Sequence, residues 1–169
     1  MSSRIVSLTV VLALLGTAVL AQSDKDLGRK SLRGLPGVQV VVENISGQAE
    51  RDGLSKSAIQ SDVQARLRRA GIRVFSREEA IAASKAGAWL YVRVSTLLNS
   101  GIYSVCVEVS LEQNVLSLVG GDVITGATWT EVRFGSIPKT DLRSVRYDLA
   151  ERVDSFVNDF LAANPVASR

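Results

Sequence analysis

The chain has 169 residues, of which 46% are hydrophobic and 22% charged, which suits one domain with a full core and excludes general disorder. Lys and Arg outnumber Asp and Glu by 20 to 17, and the excess is dispersed, so charge points to no nucleic-acid partner. Histidine is absent, which removes the commonest general base and metal ligand, and the single cysteine, Cys106, cannot close an internal disulfide.

Met1 to Ala21 reads as an export signal in three parts. Arg4 supplies the positive charge, Ile5 to Leu15 the apolar stretch, and Val19-Leu20-Ala21 a small-residue cleavage site before Gln22. The apolar run is short and interrupted by Ser7, Thr9, Gly16 and Thr17, whereas a spanning helix needs about 20 apolar residues. Cleavage is therefore expected, rather than a retained anchor. Gln22 stands where a lipoprotein would carry cysteine, and Arg4 has no twin. The expected destination is the periplasm or the exterior, reached by the general secretory route, with no stable membrane anchor after cleavage. Residues 22–34 read as a flexible leader, 35–164 as one α/β domain and 165–169 as a tail.

Val38 to Glu43 is a β-branched run and reads as a buried first strand. Ile45 to Gly53 reads as a polar loop. Ser55 caps a helix from Lys56 to Ala70, with Ile59, Val63 and Leu67 in one stripe and Gly71 at its end. Ile72 to Phe75 reads as a short second strand. Ser76 and Glu79 form a capping box for an alanine-rich helix to about Lys85. Three strands follow. Ala88, Leu90, Val92 and Val94 alternate with Trp89, Tyr91 and Arg93. Tyr103, Val105, Val107, Val109 and Leu111 alternate with Cys106, Glu108, Ser110 and Glu112. Val123 to Phe134 is the last strand. The final helix opens at Thr140 and Asp141, buries Leu142, Val145, Leu149, Val153, Phe156, Val157 and Phe160, and ends at Asn164-Pro165.

The order β-α-β-α-β-β-β-α implies an α+β fold: one mixed sheet of about five strands with two or three helices on one face. This succession, from Val38 to Asn164 and including the Ala70-Gly71-Ile72-Arg73-Val74 step, resembles the small α/β domains of periplasmic envelope proteins. The TolB N-terminal, CsgG and LpoB types are examples. The resemblance implies a binding or assembly role in the cell envelope and transfers no site residue.

Cys106 lies on the polar-alternating side of its strand and reads as a small half-buried residue, since a nucleophile would need a base that histidine does not supply. Glu108 and Glu112 share that side, roughly 13 Å apart by strand rise, wider than a glycosidase pair, and read as a solvated face. Asn44-Ile45-Ser46 matches a glycosylation acceptor that matters only in a eukaryotic route. Arg66, Arg68, Arg69, Arg73 and Arg77 gather at the end of the first helix, either as an anion site or, on the plainer reading, as cations complementing the helix C-terminus. Trp89, Tyr91 and Arg93 oppose the aliphatic set of their strand; they form a partner surface if that face is open, or cover the sheet edge if it is not. No catalytic, cofactor or metal site is expected.

The function expected from this pattern is an exported, non-catalytic interaction or assembly module of the bacterial envelope, holding an envelope protein or a second copy of itself. The alternative is a small-ligand or lipid carrier in which Trp89 and Tyr91 line a cleft between sheet and helix.

Overall fold

The structure is a computed structural model that describes residues 25–82 and 88–165. The expected export signal, the end expected for the alanine-rich helix and most of the expected tail lie outside those residues. The described elements are α1 (residues 25–31), β1 (Gln39–Val42), α2 (Gly47–Arg51), α3 (Lys56–Arg69) and α4 (Arg77–Ala82), then β2 (Ala88–Asn99), β3 (Ile102–Leu116) and β4 (Val123–Pro138). A 3₁₀ segment (Lys139–Ser144) leads into α5 (Val145–Ala163). No helix among the described residues is long and apolar enough to cross a membrane.

The four strands form one sheet in the order β1-β2-β3-β4, with β1 parallel to β2 and the other pairs antiparallel. The expected total of about five falls by one. The stretch Ile72 to Phe75 makes only a single parallel bridge, Val74 to Val38, tied by Val38 N–H to Arg73 C=O and Phe75 N–H to Val38 C=O, both at 2.9 Å. It has no room to extend, because Ser76 at once opens α4. The Glu79 N–H donates to Ser76 Oγ at 3.2 Å and the Ser76 N–H to Glu79 Oε2 at 2.8 Å, a reciprocal capping box.

Period-two alternation decides which face is covered. Leu90, Val92 and Val94 of β2 and Val105, Val107, Val109 and Leu111 of β3 are buried against Ile59, Val63 and Leu67 of α3 and against Leu149, Val153 and Phe156 of α5. Each such side chain contributes about 1.5–3 kcal/mol by leaving water. Trp129 of β4 meets Phe156 edge-on, with ring centroids 5.2 Å apart, and its indole N–H donates to Asp159 at 3.0 Å.

Three expectations are corrected. Residues 22–34 were expected to form a flexible leader, yet 25–31 are helical and Leu32 is fully buried. The partner of this segment is remote in sequence. Asn164 accepts from Gly34 N–H at 2.7 Å and donates to Leu32 C=O at 2.9 Å, while Arg29 pairs with Asp159 at 2.8 Å. β3 and β4 slip register between Leu111 and Glu112, leaving Thr128 as the extra residue. Ser31 Oγ donates to its carbonyl at 3.3 Å, so α1 docks on the bulge. The Ile45 to Gly53 loop contains α2, capped by Ser46 Oγ accepting from Ala49 N–H, with Ala49 buried. The final helix starts later than Thr140: non-helical Asp141 keeps Lys139–Ser144 in a 3₁₀ segment, and α5 proper begins at Val145.

Asp52, just past α2, fastens that helix to the sheet end. It accepts from the hydroxyl of buried Tyr103 at 2.5 Å and from Gln48 Nε2 at 2.9 Å, and it pairs with Lys139 at 3.1 Å. The Tyr103 hydrogen bond, then that of Gln48, holds its carboxyl down at about 2, from an ordinary 3.8.

Two outcomes follow from these joints. Leu32→Ala should cost about 2–5 kcal/mol, read as a fall in urea-unfolding free energy; a flexible leader would show no change. Because the folded-state pKa of Asp52 is depressed, its contribution to stability is full above pH 3.8 and is lost as pH falls towards about 2. Asp52→Asn should therefore lower the urea midpoint at neutral pH and flatten its acid decline. Parallel pH profiles for the two proteins would contradict the assignment.

Candidate functional site

The sheet face turned away from the core is open, and register fixes what stands on it. Tyr91 pairs with Ser110 and then Thr130, Arg93 with Glu108 and then Val132, and Ser95 with Cys106 and then Phe134. Side chains of paired residues share a face, so Trp89, Tyr91 and Arg93 do lie together on it, all half-buried.

Arg93 is not a free contact. Its Nε and Nη2 donate to the two carboxylate oxygens of Glu43 at 2.9 and 2.6 Å, and its Nη1 donates to Glu108 at 2.7 Å. The guanidinium is a strut across three adjacent chain segments. Its hydrogen bonds to Glu43, then to Glu108, push its pKa further up, and they hold the Glu43 carboxyl below the usual carboxylate range. Glu108 is thus committed to Arg93, and Glu112 stands two rows away, opposite Trp89 and Ala127.

Cys106 is half-buried in a shallow hollow of about 310 Å³ whose lining includes Ser95, Leu97, Ser104 and Phe134. Among the described residues no carboxylate or amine lines that hollow. Among the described residues no group of three or more His, Cys, Asp or Glu is placed to hold a metal.

Beyond the strut the open face turns apolar. Leu97 is 70% exposed, Phe134 78% and Val132 40%, and Ile102 is exposed at the sheet end. The hairpin tip adds Leu116, Leu118, Val119 and Val123, all largely in water. The sequence reading of the site missed these residues. The alternation of Val132 and Phe134 with Glu131 and Arg133 was the signal that could have found them.

The arginine cluster divides. Arg73 pairs with Glu79 at 2.9 Å and lies over the Phe75 ring at 4.8 Å. Arg66 binds both oxygens of Asp154 at 2.7 Å, and Asp62 holds Arg146 of α5 through its Nε at 2.8 Å. These two pairs bridge α3 and α5 above a cleft of about 550 Å³ that Arg69 also lines. Asn44 of the glycosylation pattern accepts from Lys56 at 2.8 Å, and Ser46 serves as the α2 cap.

No family model matches the chain, and no curated protein matches it. Solved structures similar to it include a PelC dodecamer variant from Paraburkholderia phytofirmans, at 20% identity over 77% of this chain and 90% of that one, with a TM-score of 0.35. A minor lipoprotein from Acinetobacter baumannii is similar at 12% identity over 78% of this chain and 92% of that one, with a TM-score of 0.34. A PelC dodecamer from the first organism in another crystal form is similar at 18% identity over 76% and 86%, with a TM-score of 0.34.

Proposed function

We propose that the chain is an exported, non-catalytic interaction or assembly module of the bacterial envelope, and that it holds a protein segment along β4 and the open face beside it. One observation carries this reading. β4 is a 16-residue strand with a strand neighbour on one side only among the described residues, and its open-face side chains from Thr130 to Ser136 are uncharged, with Val132 and Phe134 in water. A free edge presents a row of unpaired N–H and C=O groups that an extended segment can complete, while side-chain pockets select the sequence. Covering Phe134 and Val132 would add about 1.5–3 kcal/mol each.

The export half of the proposal rests on the three-part N-terminal signal, and the envelope setting on the resemblance of the fold order to small periplasmic domains. The non-catalytic half rests on chemistry: the chain has no histidine, among the described residues no carboxylate or amine lines the hollow at Cys106, and Glu43 and Glu108 are committed to Arg93. The carrier reading finds less support. Trp89 and Tyr91 point away from α3 and α5, so they do not line a cleft between sheet and helix.

The test is to express the tagged full-length protein in its host, crosslink intact cells and identify what co-purifies. One dominant species is expected, an envelope protein or a second copy of the chain. It should disappear for Val132→Lys combined with Phe134→Lys, a pair of exposed sites whose change should leave the thermal unfolding midpoint in place. Absence of any species from the wild type, or its persistence in the double variant, would defeat the proposal.

A further inference from the structure

The cleft between α3 and α5 holds more positive charge than its own ion pairs consume. Arg66 and Arg146 are neutralised by Asp154 and Asp62 and act as bridges between the helices. Arg69 and Arg143 also line the cleft, and among the described residues neither side chain takes part in an ion pair or hydrogen bond. Both are exposed. They enter from different directions. Arg69 is the last residue of α3, while Arg143 belongs to the 3₁₀ segment and stands against Gly53, where an added Cβ would lie 3.0 Å from its Nε. The 3₁₀ segment, within which Asp141 is non-helical, carries Arg143 to this position, ahead of α5.

Two other groups on the rim have the same unspent character. Asp141 lines the cleft and makes no ion pair among the described residues. Tyr147 lines it too and is 78% exposed, so its ring is open to an occupant. Val63, Leu149 and Val153 close the floor and belong to the core, so an occupant stays outside the core, in a cleft of about 550 Å³.

Each group has a defined chemical preference. A guanidinium presents a planar fork of donors that matches the oxygens of a phosphate. A carboxylate accepts hydrogen bonds from hydroxyl groups. An exposed aromatic ring offers a flat apolar surface to the C–H face of a polyol. We propose that this cleft binds a polyol phosphate, with Arg69 and Arg143 on the phosphate, Asp141 on hydroxyls and Tyr147 against the carbon skeleton. That chemistry has two sources, a soluble sugar phosphate and the glycerol phosphate headgroup of an anionic lipid. The site is separate from the β4 edge, and its failure would leave the edge proposal standing.

The test uses the full mature chain at roughly physiological salt, about 0.15 M, where diffuse attraction is screened. Glucose 6-phosphate, inorganic phosphate and unphosphorylated glucose are titrated by calorimetry, and vesicles of phosphatidylcholine with and without phosphatidylglycerol are tested by co-sedimentation. Glucose 6-phosphate is expected to bind more tightly than phosphate, with no binding of glucose, if the source is soluble; binding to the phosphatidylglycerol vesicles alone assigns the headgroup. Arg69→Gln and Arg143→Gln should each weaken whichever probe binds by about tenfold, the scale of one charge-assisted hydrogen bond. Arg68→Gln, which removes the same charge from an exposed site outside the cleft, should leave affinity within about twofold. Neither substituted side chain makes an ion pair or hydrogen bond among the described residues, so both variants should keep the wild-type unfolding midpoint. Failure of every probe to bind, or an equal loss in Arg68→Gln, would overturn the assignment.

Discussion

The register of β3 is the constraint on which the rest of the molecule depends. This strand is paired on both sides from Ile102 to Gln113, and its inward residues, from Tyr103 to Leu111 at every second position, are all buried. A slip of one residue would turn that whole set to solvent. The apolar stripes of α3 and α5 would then have no apolar surface to cover. The outer face specifies the same register independently. Glu108 reaches Arg93 only because the two are directly paired, and Glu43 completes the row from the end of β1. Apolar burial on one side and a three-member ion row on the other thus select a single alignment.

What the sequence made legible was what local periodicity controls. The expected helix from Lys56 to Ala70 appears as α3 over Lys56–Arg69, with Ser55 as its cap and Ile59, Val63 and Leu67 buried as the spacing required. The alternating strands and the apolar stripe of α5 were readable for the same reason. The docking of α1 was not. Its polar, non-periodic residues look like solvent-facing chain, and what orders them lies 130 residues away at Asp159 and Asn164. Ile72 to Phe75 failed in the opposite sense: its composition suits a strand, but a capping box immediately downstream leaves length for one bridge only.

The candidate surfaces follow the same division. Alternation placed Trp89, Tyr91 and Arg93 on one face, as register confirms, but could not say that Arg93 would be consumed by Glu43, because that partner arrives from another strand. Nor could it say which arginines of the helix-end cluster meet α5. Arg66 is spent on Asp154, whereas Arg69 shares its cleft with Arg143, and the latter comes from a segment where the expected helix geometry does not hold. Pairings of this kind are tertiary, and no spacing rule along one element contains them.

The two edges of the sheet are treated differently, and the difference bears on how the molecule meets others. At the β1 side the edge is short, and Val74 bridges Val38, so few backbone groups there are left open. At the β4 side a long edge remains. Folds that must stay apart commonly guard such an edge with charge. β4 does carry Glu131 and Arg133, but both serve the helix side: Glu131 lies within 3.9 Å of Lys25 and of Arg152, and Arg133 pairs with Asp148 of α5 at 3.4 Å. Those charges stand on the helix side of the sheet, paired towards α1 and α5, and the positions on the other face are left to Thr130, Val132, Phe134 and Ser136. The ion pairs that fasten the helices to the sheet thus take up the charges on one face of β4, while its other face is uncharged from Thr130 to Ser136.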